Sequence, residues 1–84
     1  MQEVHAVATY GDMLRLLAQR LETVLDAKDA FLSAPDGSTQ EYRALISHVM
    51  AIDRCRVVAD AISWLYGVGE DEVMADAMEM LGKE

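Results

Sequence analysis

Apolar residues recur at helical spacing from Leu14 onward. Leu14, Leu17, Leu21, Val24, Leu25, Phe31 and Leu32 fall on one face, and Arg15, Gln19, Glu22, Asp26 and Asp29 lie on the flank away from them. Thr9 followed by Asp12 is a capping-box signal. The pattern predicts a helix from about residue 9 to 33. Ala34-Pro35-Asp36-Gly37 then stops it, with the chain's single proline and a glycine together.

Ser38-Thr39-Gln40-Glu41 opens the next element. The Ser38 hydroxyl is placed to accept from the Glu41 amide, and the Glu41 side chain to reach back to the Ser38 amide. A long helix over 39–66 follows, with two apolar faces. Leu45, His48, Ile52, Cys55, Ala59, Ile62 and Tyr66 form one stripe; Ile46, Met50, Val57 and Trp64 form the opposite one. The dominant stripe rotates past Asp53, so a break there is the alternative to a continuous helix. Gly67-Val68-Gly69 permits a left-handed cap. Glu70-Asp71-Glu72 then places negative charge at the positive end of a third helix over 70–81, whose wide apolar face is Val73, Met74, Ala77, Met78, Met80 and Leu81.

Three helices joined by short turns predict an all-α fold, a small three-helix bundle filling residues 1–84 as one domain. The first two helices should form an antiparallel hairpin in which facing residue numbers total about 72. That register sets Asp29 near Arg43 and Arg20 near Asp53, and Arg56 is spaced to meet Asp60 and Asp53 on its own helix. The outer stripe of helix 2 needs cover from helix 3 or from another chain.

Fifteen acids against seven bases give a net charge of −8. An acidic chain repels phosphate backbones and anionic lipids, so direct nucleic-acid and membrane binding are not expected. No apolar run reaches ~18 residues, and the first residues lack the basic and apolar blocks of a signal peptide. A lone Cys55 excludes an internal disulfide and fits a reducing cytoplasm.

Candidate chemistry is sparse. His48 and Cys55 share a stripe, but seven residues of helix separate them by about 10.5 Å, too far for a nucleophile pair. Glu22, Asp26 and Asp29 share one face of helix 1, and Glu72, Asp76 and Glu79 one face of helix 3. As metal sites they lack converging ligands, and no Glu-x-x-His motif is present. No metal, cofactor or catalytic residue is therefore assigned, and an enzyme is not expected. As partner-binding strips the same acids are better placed. Asp26 and Asp29 sit where the helix dipole disfavours anions, a cost that Arg43 or a basic partner would offset. Carboxylates four apart are about 6 Å apart, close to phosphate spacing, so such a strip suits a cationic groove. Lys28 interrupts the helix-1 stripe and is expected to snorkel or to meet a carboxylate.

Six methionines, three of them in helix 3, suit either a soft core or an adaptable surface. Met50, Val57, Trp64, Met74 and Met78 are the apolar interface candidates, and a homodimer is the expected state. In size, charge and helicity the chain resembles the small acidic helical proteins that phages and mobile elements encode to block host machinery. That resemblance implies an inhibitor that binds a basic surface of a nucleic-acid-binding complex. The alternatives are a structural assembly or scaffolding protein and, further off, a carboxylate-metal enzyme.

Overall fold

The computed structural model describes residues 9–82. They form three helices, α1 (Tyr10–Ser33), α2 (Thr39–Tyr66) and α3 (Glu70–Gly82), and no strand occurs among the described residues. The all-α three-helix bundle is the observed fold. α2 is continuous through Asp53.

The helix ends follow from local chemistry. Thr9 caps α1 with both bonds of the box: its hydroxyl accepts from the Asp12 amide, and its own amide donates to the Asp12 carboxylate. Those bonds, the Thr9 amide first, hold the Asp12 carboxyl below its ordinary range. Ser38 caps α2 by accepting from the Glu41 amide at 3.0 Å. The return bond differs from the expected one. The Glu41 carboxylate accepts from the Gly37 amide, because the Ser38 amide is already committed to the Pro35 carbonyl. Gly67 ends α2 at φ 66°, in the left-handed region, and donates to the Ser63 carbonyl. The Ser63 hydroxyl then donates to the Val68 carbonyl and ties the α2–α3 turn to the helix it leaves.

α1 and α2 form the main contact, α3 packs more on α1 than on α2, and the core lies where all three meet. Leu14, Leu17 and Leu21 of α1, Cys55, Ala59 and Ile62 of α2, and Val73 and Ala77 of α3 are buried together. Met74, Met80 and Leu81 are half-buried against them. α3 has 13 residues and α2 has 28. About 20 Å of helix therefore lies against about 42 Å, and half of the hairpin receives no third layer. The radius of gyration, 15.8 Å, exceeds the roughly 12 Å of a compact chain of this length, as a partly covered rod should.

The cross-helix ion pairs expected of the hairpin do not form. A shallow groove of about 270 Å³ is walled by Arg20, Thr23 and Ala27 of α1 and by Ser47, Met50, Ala51 and Arg54 of α2. Arg20 and Arg54 both wall this groove, and Asp53 does not. Neither Arg20–Asp53 nor Asp29–Arg43 forms an ion pair, and Arg56 has none with Asp53 or Asp60. The ion pair found among the described residues is Arg15–Asp12, within α1 at 3.3 Å. The attraction between such exposed partners contributes about 0–1 kcal/mol and is too weak to draw them together.

Candidate interaction surfaces

The apolar stripe of α1 outruns α3. Leu14, Leu17 and Leu21 are buried, but Leu25 is 43% exposed and Leu32 is 67% exposed. The stripe of α2 behaves alike: Cys55, Ala59 and Ile62 are buried, while Ile52 and Leu45 are exposed. Leu81, near the end of α3, shares a small concavity with Ala18, Gln19 and Glu22. α3 therefore reaches the level of Glu22 and stops. Beyond it the groove between α1 and α2 continues uncovered. Val24, Phe31 and His48 are half-buried along this stretch, and Leu25, Leu32, Leu45 and Ile52 are its exposed apolar side chains.

Glu22, Asp26 and Asp29 are exposed on the α1 side of that stretch. Lys28 is exposed on the same stripe and makes no ion pair. These are the first acidic strip and the open half-groove, brought together by the length of α3. The groove residues Leu25, Leu32, Leu45 and Ile52 were not singled out from the sequence. The available signal was the mismatch in predicted helix lengths, which leaves some of the hairpin uncovered whichever way α3 docks.

The second strip is less uniform. Glu72 and Glu79 are exposed, but Asp76 is turned toward α1 and accepts from the Tyr10 hydroxyl at 2.8 Å. Asp76 is thus part of the packing of α3 rather than a free carboxylate. Tyr10 also stacks edge-on against Tyr66, ring centres 5.4 Å apart. Met74 is half-buried against the core, and Met78 is half-exposed.

No family model, curated protein or solved structure matches this chain. Its surfaces must therefore be read from their own chemistry.

α3 does not cover the outer stripe of α2. Trp64 is 82% exposed and Val57 67%, and Met50 and Ile46 are also exposed. Asp53, Arg56, Val57 and Asp60 share a shallow concavity with Glu70. The Cys55 thiol is buried, and burial raises its pKa, so it stays protonated and unreactive at neutral pH. His48 lies two turns away and has no pairing with it. Among the described residues no group of His, Cys, Asp or Glu is arranged to hold a metal ion, and no helix is long and apolar enough to cross a membrane.

Proposed function

We propose that this chain is a non-enzymatic protein-interaction module whose open half-groove takes a basic amphipathic helix from a partner protein. One observation carries the reading: the groove between α1 and α2 already holds a helix along its other half. α3 seats Val73 and Ala77 there, both fully buried. The continuation offers the same kind of floor in Leu25, Leu32, Leu45 and Ile52, and it adds the acidic rim Glu22, Asp26 and Asp29. A helix of about twelve residues, about 18 Å long, matches the open stretch. Its apolar face would anchor in the floor, and its basic flank would meet the rim.

Basic helices of this kind belong to nucleic-acid-binding proteins, whose phosphate-binding side chains the rim would occupy in place of nucleic acid. The module then acts as an antagonist by occlusion. The exposed acids of α3, with no base on that helix, extend the same negative field and steer association.

The test uses two fluorescein-labelled synthetic helices of equal length, one of leucine and lysine and one of leucine and glutamate, read by anisotropy. The basic peptide should bind, the acidic one should not, and binding should weaken as salt rises from about 50 to about 500 mM. Leu32→Asp should abolish binding, and Asp26→Lys with Asp29→Lys should weaken it several-fold. Equal binding of the two peptides, or indifference to Leu32→Asp, would overturn the reading.

A further inference from the structure

We infer that the groove walled by Arg20 and Arg54 is a binding site for a small phosphate monoester. It shares no residue with the half-groove, and the inference stands whether or not a basic helix binds there.

The groove breaks the charge pattern of the chain. Acids outnumber bases 15 to 7, yet none of the residues that wall it is acidic. Arg20 and Arg54 also line a second concavity, with Val57 and Val58, and no acid lines that one either. Two other concavities behave differently. Arg15 shares one with Glu22, and Arg56 shares the other with Asp53, Asp60 and Glu70. Helical spacing sets the contrast. Arg20, Thr23 and Ala27 step by three and four along α1, and Ser47, Ala51 and Arg54 by four and three along α2. Glu22 and Asp53 fall off those steps and line the other two concavities.

The donors of the groove are unspent. The arginine hydrogen bond and ion pair found among the described residues both belong to Arg15. Arg20 and Arg54 are exposed, so both guanidinium forks can swing onto a ligand. The serine hydroxyls that donate among the described residues are Ser38 and Ser63, which leaves Ser47 able to donate as well. The Thr23 hydroxyl donates to the Gln19 carbonyl at 3.2 Å and so has no hydrogen for an anion.

That donor set selects the ligand. One guanidinium fork satisfies the two oxygens of a carboxylate. Two forks and a hydroxyl suit a larger charge with more acceptors, and a phosphate monoester brings three terminal oxygens and about −2 charge. The body of the ligand would rest on Ala51, which is buried, and against the flexible Met50 side chain. The groove, about 270 Å³, lies just below the roughly 300–1,000 Å³ of drug-sized sites, so the ligand is small.

Amide and arginine side-chain NMR spectra of the full chain at pH 7.5 and constant ionic strength test the inference. Three probes are compared: phenyl phosphate, inorganic phosphate, and phthalate, an aromatic dianion of two carboxylates. Phenyl phosphate should shift the signals of Arg20, Ser47 and Arg54 saturably, with a dissociation constant on the order of 1 mM. Inorganic phosphate, without a body, and phthalate, without a phosphate, should each bind several-fold more weakly. Arg20→Gln and Arg54→Gln, both at exposed sites and checked for unchanged helicity, should each weaken phenyl phosphate about tenfold. Arg56→Gln removes the same charge outside the groove and should change binding by less than about twofold. Absence of a saturable shift up to about 20 mM phenyl phosphate would overturn the inference. So would either other probe binding as tightly, or an Arg56→Gln loss equal to that of Arg54→Gln.

Discussion

The Tyr10 hydroxyl donates to the Asp76 carboxylate at 2.8 Å, joining the first turn of α1 to the middle of α3 across 66 residues of sequence. Burial, the bond itself and the negative charges of Asp76 and Glu72 raise the Tyr10 pKa from 10.0 to about 12. Below pH 10 the phenol is neutral in both the folded and unfolded chain, and the bond is intact. Between 10 and about 12 the unfolded chain ionises first, so stability falls as pH rises through that window. Urea unfolding at pH 7 and near pH 11 should show this loss. Tyr10→Phe should cost about 1 kcal/mol at pH 7 and show a smaller decline on going to high pH. An unchanged decline would mean that other groups set the alkaline limit.

Burial divides the hairpin into a covered and an open half, and the same substitution should report the difference. Leu17 is fully buried beneath α3, so Leu17→Ala should cost about 2–5 kcal/mol. Leu32 lies on the same stripe but past the end of α3, so Leu32→Ala should change stability by less than about 0.5 kcal/mol. Denaturant midpoints of the two variants measure the contrast. A comparable loss at Leu32 would require the open half to be covered.

Element boundaries were legible because each is written locally: Thr9 and Asp12, Ser38 and Glu41, Gly67, and the proline turn all act within four residues. The stripes were legible because helical periodicity fixes which residues share a face. What periodicity does not fix is how far along a stripe the covering helix extends. Leu21 and Leu25 read alike, and the end of α3 near Leu81 separates them. Cross-helix partners were not legible either. Periodicity sets which faces meet but not which exposed side chains touch, and weak exposed ion pairs do not impose a contact. Asp76 read as one more acid of a strip because nothing near it in sequence points to Tyr10.

The caps carry separable contributions. Ser38→Ala removes the acceptor for the Glu41 amide and should cost about 1 kcal/mol. Gly67→Ala meets no neighbouring atom, yet it forces a side chain into φ 66° and should cost about 1 kcal/mol through backbone strain alone. Thermal unfolding measures both. A neutral Gly67→Ala would mean that the α2–α3 turn relaxes out of the left-handed cap.

The groove that Arg20 and Arg54 share makes the packing of the hairpin testable. The two line the same groove without an ion pair, in a chain of net charge −8. Like charges side by side across a hairpin oppose folding slightly, and salt should screen that repulsion. Arg54→Glu would convert the contact to an attractive one and should stabilise the fold by up to about 1 kcal/mol at low salt, with the gain shrinking as salt rises. The predicted sign is informative because the substitution adds negative charge to an already acidic chain, which on net charge alone should destabilise it. If the hairpin instead held Arg20 beside Asp53, Arg54→Glu would gain no opposite-charge partner, and the general repulsion would prevail. Chemical denaturation of Arg54→Glu at two salt concentrations therefore tests by direction of change whether the two side chains lie close together.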